Sequence, residues 1–185
     1  MCLRPIRSAE YLASLLRELR KLPSETEWVE FKHNKADPEE IGEYISALAN
    51  AAALAGKAHA YLVWGVDDVE HAVVGTTFAP GIVKVGNEEF ESWLLKLLSP
   101  KIQFHFFSIE VDGKAVVLLE IERAHREPVQ FQGSEWIRVG SYKKRLSAGA
   151  ASTRSCSRPS SSSYRHRSSR CRTTPRASSC SRTDR

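Results

Sequence analysis

The chain has 185 residues, with 27 Lys and Arg against 22 Asp and Glu for a formal charge of +5, which allows one domain with a real core and not two ordinary ones. No stretch reaches the roughly 18 uncharged apolar residues of a membrane helix, and "MCLRPIRSAEYLASLL" has acidic and polar breaks unlike a secretory leader, so a soluble, cytoplasmic protein is expected. Residues 147–185 hold nine Arg and one Asp, which leaves 18 basic and 21 acidic side chains in residues 1–146; the basic balance belongs to the tail, and for the rest only a local patch can point to nucleic acid.

In chain order, "SAEYLASLLREL" repeats Leu12, Leu15, Leu16 and Leu19 at helical spacing, which predicts an amphipathic helix ending before Pro23. "WVEFKH" alternates, with Val29 and Phe31 on one face and Trp28, Glu30 and Lys32 on the other, as in a half-buried strand. Asp37, Pro38 and Glu40 form a helix start signal. Ile41, Ile45, Leu48 and Ala52 then make a buried stripe, and Gly56 ends the helix. "AYLVWGV" is a continuous apolar run, read as a strand covered on both faces. A short "HAVVGT" strand, a Gly/Pro-rich loop and a helix over "NEEFESWLLKLL" follow. Three strands then close the pattern: "FHFFSIEV" and "GKAVVLLEIE", joined by a hairpin at Asp112-Gly113, and "EWIRVGS". This order predicts an α+β fold, a mixed β-sheet packed with about three helices over residues 1–146, and no internal repeat.

Residues 147–185 contain thirteen Ser and nine Arg with almost no aliphatics and no period, so disorder is expected there. A Ser/Arg arm could neutralise RNA phosphates. Its abrupt onset after "SYKKRL", its scattered cysteines and its near-loss of acidic residues instead have the look of an out-of-frame read or another truncation artefact, and no function is rested on it. Cys2, Cys156, Cys171 and Cys180 lie outside the patterned region and form no C-x-x-C pair, so neither a zinc site nor a disulfide framework is supported.

The ordered motifs "ETEWVEFK", "ISALANA", "YLVWGVDD", "VVGT", "EPVQF" and "WIRVGSYKKRL" together resemble the Schlafen AlbA-type domain, formerly called divergent AAA, over approximately residues 20–146. That family is widespread in bacterial transcriptional regulators and ATP-binding proteins, and the resemblance implies nucleic-acid binding. Further ATPase-like or winged-helix modules commonly follow in the family. Here the Ser/Arg segment stands at that place.

Animal Schlafen endoribonucleases of the superfamily use three carboxylates. The positions that match are Glu25, Glu30 just before Phe31-Lys32, and Asp68 in the Gly-Val-Asp-Asp turn, with Glu27 or Asp67 as alternatives for the group presented. The resemblance thereby implies Glu25, Glu30 and Asp68 as ligands of Mg²⁺ or Mn²⁺, which would polarise a phosphoryl group and activate water. Lys32 would assist the attacking water, as in Glu-x-Lys nucleases. The bland alternative is that Glu30 and Lys32 pair on an exposed strand for at most about 1 kcal/mol and that Asp67-Asp68 is a polar turn.

A binding role rests on other residues. Trp136 and Arg138 alternate on one strand and Lys143, Lys144 and Arg145 follow, a cationic stretch beside aromatics that can meet phosphates. Its alternative is a solvated face. Asn50 fits a hydrogen bond near a helix end, Gly65 a close backbone passage. His33, His59, His71, His105 and His125 lack metal spacing, and no phosphate-cradling G-x-x-x-x-G-K-[ST] loop exists. No cofactor is expected outside the Mg or Mn of a nuclease. The readings carried forward are a nucleic-acid-binding domain (RNA or DNA) of a regulatory or defence-related bacterial protein, a metal-dependent ribonuclease, and a protein-interaction or homodimerisation module serving an ATP-binding regulator.

Overall fold

The computed structural model describes residues 7–22 and 26–146; the expected tail lies outside them. Helix α1 spans Ala9–Leu19, strand β1 Val29–Lys32, helix α2 Pro38–Leu54 and strand β2 His59–Trp64. A small hairpin, β3 (Lys84–Val85) and β4 (Glu88–Glu89), leads into α3 (Phe90–Leu97) and β5 (Leu98–Ser99). The long hairpin β6 (Phe104–Val111) and β7 (Lys114–Glu122) follows, then β8 (Gln130–Phe131), β9 (Ser134–Val139) and β10 (Tyr142–Leu146). Among the described residues no helix is long and apolar enough to cross a membrane.

The fold is α+β. One sheet runs β1-β2-β7-β6, with β1 parallel to β2 and the other pairs antiparallel; a second runs β10-β9-β8-β5, all antiparallel. Alternation along the strands sorts the core into two faces. Val29, Phe31, Tyr61, Val63, Val116 and Leu118 point toward α1, where Leu16 and Leu19 close over them. Ala60, Leu62, Trp64, Val117, Leu119 and Ile121 point the other way, under Ile41, Ile45, Leu48 and Ala52 of α2. Burying each Val, Leu, Ile or Phe among them contributes about 1.5–3 kcal/mol.

Local signals explain the helix ends. Ser8 accepts from the Tyr11 N–H, and Asp37 from the Glu40 N–H at 2.9 Å, as capping requires. The Glu40 carboxylate pairs with Lys35 at 2.8 Å. Gly56 takes φ +66° just past the end of α2, the left-handed turn that stops a helix. Gly65 ends the central strand at φ +92°, where a Cβ would lie 2.9 Å from the Ala115 carbonyl oxygen; only glycine fits both demands.

Three elements differ from the sequence reading. "HAVVGT" forms a single bridge, Val66 with Val73, because Gly65 O takes the N–H groups of both Val74 and Gly75 and the Lys114 ammonium takes Val73 O. The third helix begins at Phe90, since Glu88 and Glu89 pair with Val85 and Lys84 across the turn at Gly86. "YKKRL" is a strand rather than a trailing run. It returns antiparallel to β9 with Lys143 opposite Arg138 and Arg145 opposite Trp136.

Candidate functional site

Glu30 and Lys32 leave β1 on the face opposite Val29 and Phe31, toward Tyr44 of α2. There Glu30 is surrounded. Its Oε1 pairs with Lys32 Nζ at 3.0 Å and accepts the Tyr44 hydroxyl at 3.1 Å, while Oε2 pairs with Arg138 Nη2 at 2.6 Å. The Arg138 side chain is 3% exposed and that of Glu30 13%. Arg138 also donates to Val29 O and, through Nε, to Gly140 O at 3.0 Å. The Gly140 N–H donates in turn to Glu27 Oε1 at 3.2 Å. One guanidinium thus ties β1 to the β9–β10 turn, and Glu30 of β1 supplies its counter-charge from within the fold.

Burial pulls the Lys32 ammonium pKa down, but its hydrogen bonds to Tyr44 and Glu30 outweigh that and leave it above the usual lysine value. Burial raises the Tyr44 phenol. Each charged group here has a partner, the condition for tolerating charge in a low-dielectric setting.

The carboxylates named from sequence are separated in role. Glu25 lies outside the described residues. Asp67 closes a local turn, accepting from the N–H groups of Val69 and Glu70 at 3.0 and 2.8 Å, and these backbone bonds hold its pKa below the usual carboxylate range. Asp68 follows on the exposed turn. Among the described residues no group of three or more His, Cys, Asp or Glu is placed to hold a metal ion. Glu30, with both oxygens engaged, and Asp68 do not by themselves fit a Mg or Mn site.

The cationic stretch divides as well. Arg138 points inward. Lys143 pairs with the Glu43 carboxylate and lies 4.5 Å from the Tyr44 ring centre and 5.4 Å from that of Trp136. Trp136 is half-buried, whereas Lys144 and Arg145 are exposed. Glu43 and Tyr44 were not singled out from sequence. Their place beside the buried stripe of α2, about two turns in from its cap Asp37, was the available signal.

Asn50 and Ser46 prove to be architecture. Asn50 Nδ2 donates to Val129 O at 3.0 Å and Trp136 O at 2.8 Å, and its Oδ1 accepts from Val129 N at 2.8 Å. Ser46 Oγ donates to Val129 O and accepts from Trp136 N. A second charge pair, Arg7 with Glu120 at 3.0 Å, sits under α1. Burial, reinforced by the Glu120 charge, pushes the neighbouring Tyr61 phenol up to about 12.

The model of the family described as "Schlafen, AlbA_2" matches residues 25–147. No curated protein matches the chain. Among solved structures, the crystal structure of the DIP2311 protein from Corynebacterium diphtheriae is similar at 14% identity and a TM-score of 0.48, over 74% of this chain and 26% of that one. The chain therefore spans about a quarter of that protein's length. The solution structure of the N-terminal domain of a putative ATP-dependent DNA helicase RecG-related protein from Nitrosomonas europaea is similar at 22% identity and a TM-score of 0.44, over 79% of this chain and 97% of that one. The chain belongs to the Schlafen AlbA_2 family.

Proposed function

We propose that this Schlafen AlbA_2 domain binds nucleic acid, RNA or DNA, through the phosphate backbone, as part of a bacterial regulatory or defence-related protein. One observation carries the reading beyond family membership. The β9–β10 hairpin is fixed to the core by the buried Arg138–Glu30 pair and holds Lys144 and Arg145 exposed beside half-buried Trp136, so cations are offered on a rigid support. Such charges release counterions when they meet phosphates.

The test is a salt titration of binding to labelled single-stranded RNA and to duplex DNA. The full chain is used alongside a full-length version whose nine arginines in residues 147–185 are replaced by glutamine, which separates tail charge from domain charge. A steep fall of affinity with ionic strength in the second protein supports the reading. Absent or salt-independent binding overturns it in favour of the interaction or dimerisation module. Transfer RNA with Mn²⁺ in the same preparations addresses the ribonuclease alternative, and exposed Asp68→Ala is its informative variant; cleavage that the variant abolishes would favour hydrolysis over binding alone.

A further inference from the structure

The hairpin cations are few, and a second surface is better furnished. Between the β5–β6 connection and the β7–β8 connection lies an open hollow of about 310 Å³ lined by Lys101, Ile102, Arg123, His125, Arg126 and Glu127. The connection is clamped at both ends. The N–H groups of Arg123 and Ala124 donate to Ala58 O and Ala49 O, and Val129 is held by Asn50 and Ser46. Ala124 and Val129 are buried, 7% and 1% exposed, and between these anchors the charged side chains face outward.

Their pairing is uneven. Lys101 Nζ caps the last carbonyls of α3 and the next residue, those of Leu95, Lys96 and Leu98, so it adds charge to the hollow while its donors are occupied. His125 bonds Glu122 at 2.9 Å. Neither Arg123 nor Arg126 forms an ion pair with another described residue, and both side chains reach solvent. Across the same connection a second hollow of about 270 Å³ has apolar walls from Ala53, Leu54, Pro128 and Ile137.

We infer that the Arg123–Arg126 connection is the principal phosphodiester-binding element of this domain, with backbone phosphate in the cationic hollow and a base against the apolar one. The inference rests on the nucleic-acid reading above and deepens it. Guanidinium groups without ionic partners among the described residues are free to take phosphate in forked geometry. A polymer that alternates anionic and flat apolar groups matches two adjoining hollows of those characters.

The experiment compares Arg123→Ala/Arg126→Ala, Lys144→Ala/Arg145→Ala and Glu127→Gln in the full-length protein with the glutamine-substituted tail, against labelled single-stranded RNA and duplex DNA. The first pair is expected to weaken binding at low salt by about tenfold or more and to cut the salt slope by roughly 1 for each phosphate no longer neutralised. The second pair should do less. Glu127→Gln should tighten binding about twofold to threefold, a gain that misfolding cannot mimic. A loss confined to RNA or to DNA supports the inference and identifies which backbone the element reads. A parent that binds while the Arg123/Arg126 variant binds equally well overturns this inference and leaves the broader reading standing. A parent that binds neither probe overturns both.

Discussion

The Arg138 guanidinium meets Glu30 Oε2 at 2.6 Å with its side chain 3% exposed, so truncating Glu30 strands the guanidinium charge in the interior, whereas truncating Arg138 leaves Glu30 paired with Lys32 and Tyr44. Glu30→Ala is expected to cost about 3–5 kcal/mol in equilibrium denaturation, Arg138→Ala less, and the double variant less than the sum of the two. Unchanged stability in Glu30→Ala would remove its structural role. Tyr61 gives a pH signature. Its folded pKa is pushed up to about 12, so the folded chain keeps a proton that the unfolded chain loses near pH ~10. Stability from this group is complete below that pH and drains away as pH climbs toward 12. Phenolate absorbance should show this late titration, and Tyr61→Phe should remove one phenol from the high-pH step, to which the raised Tyr44 phenol also contributes. Which residues carried charge was legible in the sequence. That Glu30 turns its charge inward was not, because its partner sits far along the chain on a strand whose approach only the assembled fold decides.

At the scale of elements, α2 does more than cover the sheet. Asn50 alone satisfies the Val129 N–H and bonds the carbonyls of Val129 and Trp136. Asn50→Ala is expected to destabilise the protein by about 2 kcal/mol or more, since buried polar groups are left without partners, and to speed hydrogen exchange at Val129 first. Exchange at Val129 no faster than in the parent would contradict that account. The starts of α1 and α2 and the long hairpin were readable from the cap, the helical period and Asp112-Gly113, all of them local signals, whereas the start of α3, which has no side-chain cap, was not. Strand β10 was not, because Lys143, Lys144 and Arg145 interrupt the alternation that marks a strand. Its pairing comes from the opposing strand β9 and from the ion pair of Lys143 with Glu43.

Across the whole molecule, residues 1–146 carry more acidic than basic side chains, and yet exposed cations gather on the Arg123–Arg126 connection and on β10. Local gathering of this kind cannot be read from a net charge, and neither Arg123 nor Arg126 drew notice in the sequence. Both surfaces depend on the same region of α2, where Ser46 and Asn50 bond the Trp136 N–H and carbonyl. A helix here stands in for a missing neighbour strand. Sliding β9 by a single residue would forfeit these bonds and swing the Arg138 side chain to the opposite side of its sheet. Two unrelated chemistries, an amide clasp and an ionic lock, therefore favour one alignment, and a register shifted by one residue satisfies neither. The cationic loop and the hairpin should accordingly seat and unseat together, as one cooperative plate.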